Sequence, residues 1–182
     1  MNLNEVNFST ERLILRGIRL SDAKSMLKYR SDPQIYEFQY WKPKKIEDVE
    51  EFICTRISKE PDIPNTWYQL GIFIKGYDEL VGDIGIYFLE ADSLQAEIGY
   101  TLSAEYQGSG YAAEAVTGVI DYLFNILNKH RVIASVDPRN TKSIALLERI
   151  GMRKEAHFKK SIWFNEEWAD DVVYAILKEE WY

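Results

Sequence analysis

Apolar positions along the chain come in blocks of distinct spacing, and each block predicts an element. Arg12-Leu13-Ile14-Leu15-Arg16 sets a short apolar centre between basic residues and predicts a first strand. Ser21-Asp22 then offers capping oxygens for a helix over Ala23 to Arg30. Pro33 and the aromatic stretch Tyr36-Glu37-Phe38-Gln39-Tyr40-Trp41 interrupt regularity. After them Ile46, Val49, Ile53 and Ile57 recur at near-helical spacing and predict a second, amphipathic helix, ended by Pro61 and Pro64.

From Trp67 the texture turns to strand. Trp67 to Ile74, a turn at Lys75-Gly76-Tyr77-Asp78, Leu80 to Leu89 and Ala96 to Leu102 read as an antiparallel meander. Helical period returns over Tyr111 to Leu127, where Ala112, Val116, Val119, Ile120, Leu123 and Leu127 form one stripe, and Arg131 to Val136 is a short apolar strand. A crossover of that length suits a strand-helix-strand unit. Asn140 caps a short helix over Thr141 to Ile150, closed by Gly151, and two last strands, Arg153 to Phe164 and Trp168 to Leu177, join at Asn165-Glu166-Glu167.

These elements make a mixed α/β (α+β) sheet of about seven strands with helices on its faces. No linker, repeat or low-complexity tract divides the 182 residues, so one domain is expected over 1–182, with an ordered core from about 9 to 180. Twelve Tyr, eight Phe and five Trp supply large surfaces for that core. Cys54 is the only cysteine, which excludes an intrachain disulfide and suits a reducing compartment. The first residues lack a signal-peptide pattern, and the longest later apolar run, Val172 to Leu177, is far short of a membrane span, so a cytoplasmic protein without a membrane partner is expected. The formal charge of −7 disfavours nucleic acid and anionic lipid and favours a cationic or amine-bearing partner; it equally serves solubility.

Gln107-Gly108-Ser109-Gly110-Tyr111-Ala112 lies directly between a predicted strand and a predicted helix. Successive backbone N–H groups there can point into one concavity beside the positive end of the helix, a geometry that binds phosphate oxygens. Gly108 and Gly110 permit positive φ and close approach of an anion, and Ala112 keeps the first helical turn small. The loop lacks the Lys-Ser/Thr ending of a nucleotide-hydrolysing phosphate loop and the three-glycine dinucleotide fingerprint. By itself it also reads as a plain glycine turn.

Thr10-Glu11-Arg12-Leu13-Ile14-Leu15-Arg16, Glu97-Ile98-Gly99-Tyr100, the glycine loop, Asn140-Thr141-Lys142-Ser143 and Leu147-Glu148-Arg149-Ile150-Gly151-Met152 follow one another in this order. Together they resemble the GNAT superfamily of N-acetyltransferases, in the branch of ribosomal-protein N-terminal acetyltransferases of RimJ/RimL type, from about Ser9 to Tyr182. The resemblance implies a strongly twisted, mostly antiparallel sheet split into a V between the fourth and fifth predicted strands, Ala96 to Leu102 and Arg131 to Val136, with acetyl-CoA as co-substrate and no metal. It further implies that main-chain groups of Tyr100, Thr101 and Leu102 pair with the pantetheine arm and that Gln107, Gly108, Ser109, Gly110, Tyr111 and Ala112 hold the pyrophosphate. Asn140 would contact the arm, and Lys142 or Arg139 a cofactor phosphate. A bulge near Gly99 or Tyr100 would supply the oxyanion N–H.

Acetyl transfer needs a neutral amine, an oxyanion site and help for the departing thiolate. A lysine-like amine near pKa ~10.4 is neutral in about one molecule in 2,500 at pH 7, equivalent to about 4.6 kcal/mol, whereas an α-amine near ~8 loses only about 1.4 kcal/mol. Strand alternation puts Glu97, Gly99 and Thr101 on one face, which makes Glu97 the candidate base; it also reads as an ordinary solvated glutamate. Ser143, close behind Asn140 at a helix start, is placed to donate to the leaving sulfur, and the two also read as cap residues. His130, His157 and Cys54 are isolated and form neither a metal site nor a nucleophilic triad.

Tyr40, Trp41 and Tyr68, with Tyr36, Phe38 and Trp67, are candidates for an acceptor wall, because in the relatives the first two helices lie over that pocket; an aromatic cluster also suits a core. The expected acceptor is a protein N-terminus or a small amine such as a polyamine or aminoglycoside. A catalytically silent acyl-CoA-binding module and an interaction protein on the same fold are the alternatives. Monomer or homodimer is expected, with the aromatic end of Glu179-Glu180-Trp181-Tyr182 as a candidate dimer contact.

Overall fold

The computed structural model describes residues 6–77, 79–90 and 94–181; Asp78 of the expected turn and the terminal Tyr182 lie outside the described residues. The strands are β1 (Asn7–Ser9), β2 (Leu13–Gly17), β3 (Thr66–Ile74), β4 (Leu80–Phe88), β5 (Gln95–Leu102), β6 (Arg131–Val136), β7 (Arg153–Phe164) and β8 (Glu167–Leu177). The helices are α1 (Ala23–Arg30), α2 (Ile46–Glu51), α3 (Tyr111–Asp121) and α4 (Thr141–Arg149). All eight strands form one sheet in the order β1-β2-β3-β4-β5-β6-β8-β7. Every neighbouring pair is antiparallel except β5 with β6, which α3 connects as a crossover.

The count exceeds the sequence expectation by β1. Its three residues carry no usable period, and it owes its conformation to pairing with β2 across Phe8↔Leu15, with Phe8 stacked on Tyr122 at 5.4 Å. Two helices also end differently from a continuous α pattern: α2 gives way to a π-type segment at Phe52–Arg56 and α3 to another at Tyr122–Ile126, where the Leu127 N–H reaches back to the Tyr122 carbonyl at 3.1 Å.

Alternation along the strands sends side chains to two cores. On one face Leu13, Leu15, Leu70, Ile84, Ile86 and Ile98 pack with Val116, Val119 and Ile120 of α3 and Leu147 of α4. Each of those α3 side chains is fully buried and contributes about 2 kcal/mol of transfer free energy. On the other face Ile14, Phe73 and Leu80 pack with Met26 and Tyr29 of α1 and Val49 and Ile53 of α2. Trp181 joins the first face: its indole N–H donates to Asp121 at 2.6 Å and its ring meets Phe124 edge-on. Trp181 is therefore held against α3, partly buried.

The parallel pairing is short. It comprises Gln95↔Arg131, Ala96↔Val132 and Glu97↔Ile133, after which β5 follows β4 as far as Gly82↔Leu102 and β6 follows β8 to Val136↔Val172. The sheet thus opens as a V between β5 and β6. The bulge expected at Gly99 or Tyr100 is not present: β4 and β5 stay in register through Gly85↔Gly99 and Ile84↔Tyr100.

Candidate functional site

Main-chain direction along the V follows from two hydrogen bonds. Leu89 N–H donates to the Gln95 carbonyl at 3.3 Å and Ser103 N–H to the Val81 carbonyl at 2.8 Å, so the odd-numbered residues of β5 turn their main-chain groups toward β4. The N–H and carbonyl of Tyr100 and the N–H of Leu102 therefore face the opening, while the Gln107 amide has already taken the Leu102 carbonyl at 3.1 Å. Thr101 is corrected by the same parity: its main chain serves Asp83 of β4 and not the V. Among the described residues its side-chain oxygen, buried in the cavity wall, has no hydrogen-bond partner. Without a bulge, the N–H presented to the V is that of Tyr100, and the Gly99 N–H is spent on β4.

A cavity of about 570 Å³ runs along the opening. Glu97, Gly99, Trp67 and Gln69 line it from the face that carries α1 and α2, Ser135 and Asp137 from the β6 arm, and Asn140, Ser143 and Leu147 from α4. Tyr40, Trp41 and Phe38 close one side, and the β7–β8 hairpin closes another with Ile162, Phe164 and Asp171. A Cβ added at Gly99 meets nothing within 4 Å, so the strand leaves open space beside Glu97. Tyr68 is not part of this wall. It is 4% exposed in the core under α3, on the opposite face from its neighbours Trp67 and Gln69, which do line the cavity. Tyr36 is also away from it, beside the Lys42 ammonium at 5.1 Å.

The electrostatics of the two ends differ. Burial, and then the nearby Asp171, raise the Glu97 pKa above the ordinary glutamate range. Asp171 accepts a 2.6 Å hydrogen bond from the Ser135 hydroxyl across β6 and β8. Asp137 is half-buried, which opposes its charge, but hydrogen bonds from Arg139 prevail and lower its pKa. Burial and the charges of Asp171 and Asp137 raise Tyr40. This wall is acidic and suits an ammonium group. At the α4 end the phenol of Tyr100 lies 2.6 Å from the Ser143 hydroxyl, and burial pushes its pKa up to about 12 against the opposing effect of that hydrogen bond. Asn140 caps α4 by accepting the Ser143 N–H at 3.1 Å.

Behind the acceptor-side wall lies a buried charge network. Asp83, fully buried on β4, accepts from Tyr29 Oη, from Arg30 Nε at 3.1 Å and Arg30 Nη2, and from the Gln69 amide. Arg30 reaches on to the Gln39 side chain at 3.1 Å, next to Tyr40 and Trp41. Nothing in the sequence pattern marks this network or Asp171, since each partner comes from a distant element.

The glycine loop stands outside the cavity lining. Gly108 and Gly110 have φ of +80° and +83°, and Gly110 is the N-cap of α3. Among the described residues the N–H groups of Gly108, Ser109 and Gly110 donate to no protein acceptor, and the first N–H groups of α3 lack intrahelical partners by helix geometry. A Cβ at Gly108 would meet nothing within 4 Å, so the loop is open on that side. These features fit a phosphate-bearing ligand. Arg12, a basic flank of the first strand in the sequence pattern, braces the loop: it donates to the Ser109 carbonyl at 2.9 Å and to Glu114 of α3 at 2.6 Å, and covers the Tyr111 ring at 4.5 Å. Ala112 packs on the main core. Arg139 is committed to Asp137 and Glu167, which leaves Lys142 the freer of the two cations named for a cofactor phosphate.

Of the remaining polar candidates, His157 pairs with Asp170 at 2.8 Å and Cys54 is free and exposed. No described helix is long and apolar enough to cross a membrane.

Residues 12–153 match the family described as the acetyltransferase (GNAT) domain. The chain is 31% identical over 176 residues to the uncharacterized N-acetyltransferase YnaD of Bacillus subtilis (strain 168), covering 97% of this chain and 99% of that protein. It is 25% identical over 187 residues to the [ribosomal protein uS5]-alanine N-acetyltransferase of Escherichia coli (strain K12), covering 99% and 95%. A crystal structure of a GNAT-family acetyltransferase from Bacillus anthracis superposes with a TM-score of 0.86 at 31% identity, covering 96% of this chain and all of that one.

Proposed function

We propose, for a chain that belongs to the GNAT acetyltransferase family, that it transfers acetyl from acetyl-CoA to a primary amine by direct attack. The acceptor is a protein N-terminus, in keeping with the E. coli relative's name as an alanine N-acetyltransferase of ribosomal protein uS5, or a small amine such as a polyamine or aminoglycoside. The observation that carries the reading is one cavity through the split sheet, with Glu97 on one wall and Ser143 on the other.

Acetyl-CoA supplies the activated acyl group as a thioester. Gly108 to Ala112 and the start of α3 hold its pyrophosphate through main-chain N–H groups, and Tyr100 and Leu102 offer main-chain partners to its pantetheine arm. The Tyr100 N–H is the donor placed for the developing oxyanion. Glu97 takes the proton of the incoming ammonium or amine, directly or through water; its raised pKa brings it nearer to the working pH of a general base. Asp171 and Asp137 attract the cationic acceptor to that wall, and Trp67, Tyr40 and Trp41 enclose it. Ser143 donates a hydrogen bond to the departing sulfur, which suffices for a thiol of pKa ~8.5.

Release of free thiol from acetyl-CoA, measured with spermidine, an aminoglycoside and peptides with free N-termini, tests the reading. Amine-dependent thiol release supports it. Tight CoA binding without turnover on any acceptor would leave a binding module, and no acetyl-CoA thermal shift at all would leave an interaction protein.

A further inference from the structure

We propose that Tyr100 is a positioning residue for the leaving group: its phenol donates to Ser143 Oγ and thereby turns the serine's own hydroxyl hydrogen toward the departing sulfur. The inference rests on the reading of Ser143 given above.

Tyr100 leaves β5 on the face that carries α4, and its side chain spans the mouth of the V to reach the first turn of that helix. Two acceptors lie within reach of its single proton, Ser143 Oγ at 2.6 Å and the Ser143 carbonyl at 3.3 Å. The nearer oxygen is the better acceptor by distance, and the carbonyl, lying inside α4, already serves the helical ladder. A phenol of ordinary pKa near ~10 is protonated at neutral pH, and burial raises it further, so Tyr100 has a proton to give.

A serine near a helix start ordinarily turns its hydroxyl back onto its own backbone. Here those roles are filled. Asn140 Oδ1 takes the Ser143 N–H at 3.1 Å, and the Asn140 carbonyl takes the Ile144 N–H at 3.1 Å. Among the described residues Ser143 Oγ has no hydrogen-bond partner except Tyr100. With the phenol proton on Oγ, the serine hydrogen must point elsewhere, and Ser143 borders the cavity.

When the new C–N bond has formed and the C–S bond breaks, the bonding electrons pass to sulfur, and the amine proton leaves on the Glu97 side. The O–H of Ser143 faces the thiolate and the O–H of Tyr100 backs it, so the negative charge is spread over two hydrogen bonds in series, each strengthening the other. Neither proton transfers, because a thiol near pKa ~8.5 is a stronger acid than either hydroxyl.

CoA itself is the probe. Its thiolate absorbs in the far ultraviolet, so the pKa of the bound thiol is read by a difference titration of the CoA complex against protein alone. Four proteins are compared: wild type, Tyr100→Phe, Ser143→Ala and the double variant. Phenylalanine keeps the ring and removes one hydroxyl, so the fold is retained. The expected result is that Tyr100→Phe raises the bound thiol's pKa by about half a pH unit, roughly threefold in the thiolate equilibrium. Ser143→Ala raises it at least as far, and the double variant matches Ser143→Ala, since Tyr100 acts only through the serine. A bound-thiol pKa unchanged by Tyr100→Phe, or two shifts that add, overturns the inference while leaving the acetyltransferase reading intact. A wild-type protein that does not bind CoA overturns both.

Discussion

Replacing Asp83 with alanine should destabilise the protein by about 4 kcal/mol, because it strands a buried cation. Asp83 has no exposed surface, and the guanidinium it neutralises belongs to Arg30, which is only 8% exposed. Removing one member of a buried pair costs about 3–5 kcal/mol, most of it the penalty of the charge left behind. The Tyr29 hydroxyl and Gln69 amide lose an acceptor at the same time. With an unfolding entropy of about 2.1 cal/mol/K per residue, the 182 residues give roughly 0.38 kcal/mol/K, so the melting temperature should fall by about 10 °C. Thermal and urea unfolding followed by circular dichroism measure this for Asp83→Ala, Arg30→Met and the double variant. The double should lose clearly less than the sum of the singles, with a coupling of about 2–3 kcal/mol. Because Arg30 also holds Gln39 beside Tyr40 and Trp41, Asp83→Ala should raise the KM for the amine as well. A melting temperature within about 3 °C of wild type, or losses that simply add, would mean that Asp83 and Arg30 do not form a coupled buried pair.

Glu97→Gln should lower kcat by about 10²–10⁴. In the wild type the rising limb of the pH profile should lie above the ordinary glutamate range, and Asp171→Asn should move it to lower pH by removing a neighbouring negative charge; a limb that stays put excludes the coupling. Since the folded-state pKa of Glu97 is raised, its contribution to stability is present at low pH and lost as pH rises through the folded pKa, so Glu97→Gln should raise the melting temperature at pH 7 and not below about pH 4. Alanine at Gly108 or Gly110 forces a side chain into positive φ at about 1–2 kcal/mol and should weaken CoA binding by calorimetry; wild-type affinity in both would remove the loop from the cofactor site. Trp67→Ala should raise the acceptor KM and Tyr68→Phe should not, and the reverse outcome would move the acceptor to the α3 face.

Local chemistry made much of the fold legible. Arg131–Val136 and Arg153–Phe164 are strands with the bounds their apolar patterns predict, and Asn140 caps α4 as its side chain suggests. The glycines at 108 and 110 do adopt positive φ, which their own lack of a Cβ permits. Alternation along β5 put Glu97, Gly99 and Thr101 on one face, and that face borders the cavity. Each of these depends on residues within one element or one turn.

Local pattern thus sets the order of elements, the glycine loop and the sidedness of each strand. Which side faces what depends on long-range packing. Tyr68 and Trp67 alternate in any strand, but only the packing of α3 on one face and of α1 and α2 on the other sent Tyr68 into a core and Trp67 to the cavity. β1 exists because β2 is there to pair with it. The V opens because β6 continues along β8 while β5 continues along β4, and no residue of either strand states that divergence. Asp171 beside Glu97, Arg30 on Asp83 and Tyr100 on Ser143 join positions 74, 53 and 43 residues apart, the last two as hydrogen bonds and the first as a charge interaction. Contacts of that separation are chosen by the whole sheet and its helices, which is why the chemistry-bearing residue types were visible in the chain and their partners were not.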